Sequence, residues 1–272
     1  MVGSALTRRL RSEDCEVVTV GRDELDLRDR AATRDWVRET RPDAVFCAAA
    51  KVGGIEANDK APADFLRENL EVQLSVIDAA QAAGVGKLLF LGSSCIYPRE
   101  APQPIPESAL LTGPLEPTNQ WYAIAKIAGI MQCQAYRRQY GSSFISAMPT
   151  NLYGPGDNYH PTNSHVVAAL IRKAHEAKEA GQETLEIWGS GTPRREFLFA
   201  DDCADALVFL MKHYNQETPV NVGTGEDITI TELAEKVARA VGFQGSFSYN
   251  TDKPDGMPRK LLDVSRIAAL GW

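Results

Sequence analysis

The stretch from Lys87 to Lys126 constrains the rest of the chain. It begins KLLFLGSSCIYP, a short apolar run ending in small polar residues, and closes on QWYAIAKIAGI, where helical spacing starts. Lys87 to Leu91 reads as a buried parallel strand. Ser93, Ser94 and Cys95 then fall at its carboxyl end, where open α/β sheets place their ligands. Tyr122 and Lys126 are four residues apart on the expected helix and so share one face. A phenol, with a pKa of about 10, is a poor acid–base group at neutral pH, and a neighbouring ammonium favours its ionised form. A serine hydroxyl beside it suits a carbonyl oxygen that receives a proton. Taken alone, the Tyr-x-x-x-Lys spacing also fits an ordinary amphipathic helix. The strand and serines ahead of it favour catalysis.

At 272 residues the chain makes one large domain or two small ones. A composition 44% hydrophobic and 24% charged is that of a soluble globular protein. The net charge of −7 argues against a general nucleic-acid surface, while a local basic cluster for a nucleotide phosphate stays compatible with it. Cys15, Cys47, Cys95, Cys133 and Cys203 are odd in number, scattered, and include no C-x-x-C pair. That usage fits a reduced protein with neither a disulfide framework nor a zinc site. No apolar run is long enough to span a bilayer, and no signal peptide opens the chain. The expectation is a cytoplasmic enzyme without a metal or a membrane partner.

Along the chain, Met1 to Arg11 has helical spacing with Ala5, Leu6 and Leu10 inward, and Val17 to Val20 reads as a strand. Ala31 to Thr40 reads as a helix ended by Arg41-Pro42. Asp43 to Ala49 reads as a buried strand, and the small residues Ala48 to Ala50 let the backbone run close to a ligand. Gly53-Gly54 marks a loop. Pro62 to Ala83 reads as a long helix with Phe65, Leu66, Leu70, Leu74 and Ile77 inward; Asn69 in it reads as a satisfied structural asparagine, and Gly84 caps its end. Arg99 to Thr118 is proline-rich and aperiodic, a surface loop suited to a lid or a substrate-side wall. The Tyr122 helix runs to about Tyr140, and Ser143 to Pro149 is a strand with Thr150 and Asn151 at its carboxyl end. After Gly154 the pattern changes, marking a first crossing into a smaller domain. Arg172 and Lys173 either meet a diphosphate or are solvated charges. Arg194 and Arg195 are adjacent on an extended segment, so at most one faces a ligand. Arg195 is the choice for a phosphate, which a guanidinium matches in bidentate fashion. Asp201 and Asp202 read as the cap of a helix from Ala204 to Tyr214, and Thr231 as the cap of a helix with Leu233, Val237 and Val241 inward.

GSSCIYP, NQWYAIAK, PTNLYGPGDNY, HVVAALIRKAHEA, IWGSGTPRREFLFADD and KPDGMPRKLLDVSR occur in that order. The serine at a strand end with Tyr-x-x-x-Lys resembles the short-chain dehydrogenase/reductase superfamily. The ordered set resembles, over nearly the whole chain, the GDP-L-fucose synthase family within it. The resemblance implies an α/β fold: a doubly wound parallel (Rossmann) sheet with a smaller α/β substrate domain. Residues 1–153 and 196–225 would bind cofactor, and residues 154–195 and 226–272 the nucleotide sugar. The implied activity is NADPH-dependent conversion of GDP-4-keto-6-deoxy-D-mannose to GDP-L-fucose, by epimerisation at C3 and C5 and then reduction at C4. By the resemblance Cys95 is the base and His165 the acid; Ser93 and Tyr122 hold the ketone oxygen, and Lys126 lowers the phenol pKa and holds the nicotinamide ribose. Gly3, Arg22, Asp26, Leu27, Ala48, Ala49, Pro149, Asn151, Leu152 and His165 border NADP. Ser93, Asn151, Lys173, Trp188, Arg195 and Lys260, or its neighbour Arg259, meet the GDP-sugar.

The position of Arg22 beyond the second strand, with Gly21 before it rather than an acid, favours NADP over NAD; by itself Arg22 is equally a solvated turn residue. The family opens with a strand and G-x-x-G-x-x-G ahead of its first helix. Here only Gly3 matches that motif, so the first strand is expected to be missing, and the carboxyl end to be shortened. The family pairs as a homodimer through two long helices, which correspond to residues 65–83 and 122–140. Two other readings are another NAD(P)-dependent nucleotide-sugar epimerase or dehydratase, and a non-catalytic nucleotide-binding relative. Arg22, Cys95 and His165 speak against the first, and the Ser93, Tyr122, Lys126 set against the second.

Overall fold

Period-two alternation in KLLFL sends side chains to both faces of a sheet, and both faces are covered. In the computed structural model, which describes residues 1–161, 163–253 and 255–272, Leu88 and Phe90 enter one core while Leu89 and Leu91 enter another. The elements run α1 (Val2–Leu10), α2 (Arg30–Thr40), β1 (Ala44–Cys47), α3 (Ile55–Lys60), α4 (Pro62–Ala82), β2 (Lys87–Leu91) and α5 (Gln120–Tyr140). Next come β3 (Phe144–Pro149), β4 (Asn151–Tyr153), α6 (Val166–Glu179), β5 (Thr184–Trp188), β6 (Arg194–Phe199) and α7 (Ala200–His213). The chain finishes with β7 (Val220–Val222), β8 (Asp227–Thr229), α8 (Ile230–Val241), β9 (Ser246–Asn250), β10 (Arg259–Lys260) and α9 (Ser265–Leu270).

Strands β1, β2, β3 and β7 form one parallel sheet in that order. Helices α4 and α5 cover one face, where Val76, Ile77, Ile130 and Cys133 meet Leu88 and Phe90. Helices α1 and α7 cover the other, where Leu6, Ala204 and Leu207 meet Leu89. This is the doubly wound, Rossmann-like α/β arrangement. A separate core lies between α6, α8 and the β5–β9 pair, built from Leu170, Ala174, Ile187, Leu233 and Val237. Parallel β10, β6 and β4, with antiparallel β8, form a third sheet. Among the described residues no helix is long and apolar enough to cross a membrane.

Several sequence expectations change. Val17–Val20 forms no strand: among the described residues β1 lies at the sheet edge with β2 its one ladder partner, and no strand pairs with the valines. Leu74 points out, 41% exposed, because the buried stripe of α4 runs through Phe65, Asn69, Gln73, Val76, Ile77 and Ala80. The Arg99–Thr118 segment is not a free lid. Ile105 is buried, bridges to Leu262 and donates to the Leu261 carbonyl at 2.8 Å. Helix α7 starts at Ala200, so Asp201 and Asp202 sit in its first turn rather than capping it, and Asp201 pairs with Arg8. There the carboxylates complement the helix dipole. Thr229, not Thr231, caps α8, through a reciprocal pair with Glu232; the Thr231 hydroxyl donates to the Gly191 carbonyl at 3.1 Å.

One glycine sets how closely α5 approaches the sheet. A Cβ on Gly129 would collide with the Phe90 ring and meet the Gln73 amide oxygen at 2.9 Å. Alanine favours a helix interior over glycine by about 1 kcal/mol, whereas overpacking a core costs about 1–3 kcal/mol. Packing outweighs propensity here, so Gly129→Ala should lower the urea-unfolding free energy, against the sign that helix propensity alone gives.

Candidate active site

The turn at the end of β2 sorts its side chains. Ser93 is extended, and its hydroxyl accepts the Cys95 N–H at 3.2 Å, closing a short helical turn over Ser94–Ile96. Ser94 and Ile96 are buried, which leaves Ser93 and Cys95 on the side of the sheet's carboxyl edge. The close fit at Gly129 brings the first turns of α5 onto the same edge. Lys126 is buried there and donates to the Leu91 carbonyl at 2.8 Å, with its amine 4.8 Å from the Phe90 ring centre and 5.9 Å from that of Tyr122. Burial pushes the Lys126 pKa down to about 8, opposed weakly by Cys47.

The Tyr122 phenol is held above its ordinary value, first by burial and then by the Cys95 charge, while the Ser93 hydroxyl opposes them. The sequence reading has Lys126 drawing this pKa down. In the folded chain desolvation outweighs any such pull, so Tyr122 is a protonated phenol at neutral pH. Cys95 goes the other way. Burial raises its pKa, but the Lys260 ammonium, the Ser93 hydroxyl and Arg195 together bring the thiol below the ordinary value. The Lys260 Nζ donates to the Cys95 Sγ at 3.3 Å.

His165 occupies the N-cap position of α6 without using its side chain as a cap. Gly54 packs against the preceding residue so closely that a Cβ there would lie 2.7 Å from the Ser164 carbonyl oxygen. His165 is an exposed residue, yet the protein atoms around its ring lower its pKa, with Asp157 opposing and Lys260 adding to the fall. Arg195 pairs with Lys260 across the β6–β10 ladder, and its guanidinium donates to the Asp255 carbonyl at 3.2 Å. Arg194 turns the other way, to the Asp227 carboxylate at 2.8 Å, as alternation along a strand requires.

The other candidates fall into two groups. Lys173 and Trp188 lie together, the amine 4.7 Å from the indole centre, with Lys253 at 4.6 Å from the same ring. Near β1, Arg22 donates to the Ala50 carbonyl at 3.4 Å, beside half-buried Ala48 and Ala49. Asn69 is the satisfied residue expected: it accepts the Lys51 N–H at 3.0 Å and donates to the Lys51 and Phe65 carbonyls, fixing the loop after β1. Asp26 forks onto Arg28, which holds its carboxyl down at about 2. Leu27 and Leu152 pack into the two main cores, and Pro149 ends β3. Gly3 is exposed at the start of α1 with open space around it. An exposed helix start, small residues at a strand end and a buried lysine beside a tyrosine fit a dinucleotide.

Sequence reasoning missed Glu196. Its side chain is fully buried, accepts the N–H of Gly225 at 2.7 Å and of Leu262 at 3.0 Å, and its backbone carbonyl accepts from Thr150 and Asn151. Asn151 is thereby anchored to β6. The alternating pattern of RREFLF, which turns Glu196 and Leu198 the same way, was the signal for an inward acid.

The sequence model of the NAD dependent epimerase/dehydratase family matches residues 1–223. A GDP-L-fucose synthase of Sinorhizobium fredii is 60% identical over 272 residues, covering 100% of this chain and 87% of that protein. GDP-L-fucose synthase 1 of Arabidopsis thaliana is 57% identical over 273 residues, covering 100% of this chain and 84% of that one. The crystal structure of a GDP-L-fucose synthetase from Naegleria fowleri bound to NADP superposes with a TM-score of 0.91 at 29% identity, over 99% of this chain and 84% of that one. Fold, site and sequence thus agree, and the chain belongs to the GDP-L-fucose synthase family, within the NAD dependent epimerase/dehydratase family.

Proposed function

We propose that this chain converts GDP-4-keto-6-deoxy-D-mannose to GDP-L-fucose with NADPH, epimerising C3 and C5 before reducing C4. The observation that carries the reading is the placement of Cys95, its sulfur 3.3 Å from the Lys260 amine, beside Ser93 at the strand end onto which Lys126 of the Tyr122 helix also docks. Local charge biases the thiol toward thiolate, and burial biases the phenol toward its protonated form. The relatives named as GDP-L-fucose synthases, and the solved synthetase bound to NADP, support the substrate and the cofactor.

The C4 ketone acidifies the C–H bonds at C3 and C5. The Cys95 thiolate takes such a proton and becomes a thiol, the electron pair moves onto the ketone oxygen, and the Ser93 and Tyr122 hydroxyls hydrogen-bond that enolate. Protonated His165, carried on a different element, returns a proton to the opposite face. Bound NADPH supplies the hydride to C4. Tyr122 gives its phenolic proton to the C4 oxygen, and Lys126 holds the nicotinamide ribose. Arg195 donates only to backbone carbonyls among the described residues and makes no ion pair, so its charge is available to the diphosphate. Lys173 and Trp188 take the rest of the GDP. Leu74 at 41% and Ile124 at 40% exposure lie on the outer faces of α4 and α5, with Trp121 and Met131 also exposed. The chain pairs through these faces as a cytoplasmic homodimer.

Cys95→Ser should slow solvent-proton exchange at C3 and C5 by at least about 100-fold, the low end of a general base's contribution. In the same assay Tyr122→Phe should block NADPH oxidation while exchange stays measurable. Equal loss of both activities in a folded Cys95→Ser chain contradicts the assignment. The pH profile follows from the two shifted groups. Exchange requires thiolate and imidazolium together, so log rate should rise at low pH, level off, and fall at high pH as His165 loses its proton. His165→Asn should remove the alkaline fall from what rate is left. For the assembly, a Leu74→Glu, Ile124→Glu double variant should sediment as a monomer where the parent chain sediments as a dimer.

A further inference from the structure

Lys260 is a buried cation that no carboxylate meets among the described residues. It is 7% exposed, forms no ion pair among the described residues, and its one hydrogen-bond acceptor is the Cys95 Sγ at 3.3 Å. A buried ammonium without a counter-charge is costly, and burial persists when a partner anion is present. The backbone around Lys260 is fixed on both sides, so the side chain does not reach Cys95 by chance. Lys260 pairs with Arg195 in the β10–β6 ladder, Leu261 donates to the Gln103 side chain at 2.9 Å, and Leu262 donates to buried Glu196 at 3.0 Å.

We infer that Lys260 is the counter-ion that keeps Cys95 ionised, a positioning residue for the base rather than solely a contact for the nucleotide sugar. The inference rests on the reading of Cys95 as the base. The other groups around the thiol do not replace Lys260. Ser93 is a neutral hydroxyl, Tyr122 on α5 is a protonated phenol, and Arg195 on β6 acts more weakly. Glu116 and Asp255 face Arg195, and His165 on α6 faces Lys260 from another side. No proton moves between lysine and cysteine in the resting pair: the thiol loses its proton to solvent, and the ammonium stabilises the sulfur charge. When Cys95 takes a substrate proton, the pair is lost, and it is restored when the proton leaves.

The test is the pH dependence of iodoacetamide alkylation of the full chain, read by mass spectrometry on the Cys95 peptide, which separates it from the other four cysteines. Lys260→Met should move the alkylation midpoint up by about one pH unit or more, a tenfold loss of thiolate at a given pH below it. Lys260→Arg should restore the low midpoint. A folded Lys260→Met chain with an unchanged midpoint overturns the inference. Should Lys260→Met fail to fold, the parent chain answers: the Lys260 ¹⁵Nζ resonance should step at the alkylation midpoint, and a flat resonance overturns the inference. If the midpoint rises in Lys260→Met but Cys95→Ser keeps full exchange activity, the counter-ion inference stands and the assignment of Cys95 as base falls.

Discussion

Glu196 joins three segments far apart in the chain, and the site depends on that joint. Its carboxylate accepts N–H groups from the loop after β7 and from the stretch after β10, while its carbonyl takes Thr150 and Asn151. An N–H left unsatisfied at such a buried spot costs about 1–3 kcal/mol, so the three segments hold their relative places. Arg195 immediately precedes Glu196, and Lys260 lies two residues before Leu262. Both cations that act on Cys95 are therefore seated from one buried carboxylate.

The remainder of the site is set by desolvation working against local charge. Tyr122 and Cys95 lie at the same strand end, and burial disfavours the ionised form of both. The Lys260 amine lies 3.3 Å from the Cys95 sulfur, while the Lys126 amine stays 5.9 Å from the Tyr122 ring centre, so the two groups part: the phenol pKa is held up and the thiol pKa is drawn down. Groups with separated pKa values divide acid and base roles within one pocket. The division suits a reaction with a proton abstraction and a proton donation around the same carbonyl.

Local pattern carried much of this arrangement. Lys87–Leu91 and the helix from Gln120 to Tyr140 stand where apolar spacing puts them, because each pattern is complete within its own element. The placement of Ser93, Cys95, Tyr122 and Lys126 was legible for the same reason: a strand end and one helix face hold all four. What failed depended on partners elsewhere. Val17–Val20 has strand composition but, among the described residues, no strand to pair with. Leu74 fits a helical period that the packing of α4 against α5 turns outward, and Arg99–Thr118 is aperiodic yet tied down where buried Ile105 bridges to Leu262. The contact between Lys260 and Cys95 spans 165 positions, and no spacing rule reaches that far.

The central claim is that one site, around one carbonyl, both epimerises and reduces. Turnover of GDP-4-keto-6-deoxy-D-mannose with NADPH in deuterated water tests it, with the sugar product identified by nuclear magnetic resonance. The account requires GDP-L-fucose carrying solvent deuterium at C3 and C5, with one NADPH oxidised per product. A C4-reduced sugar of unchanged C3 and C5 configuration, free of deuterium, contradicts it.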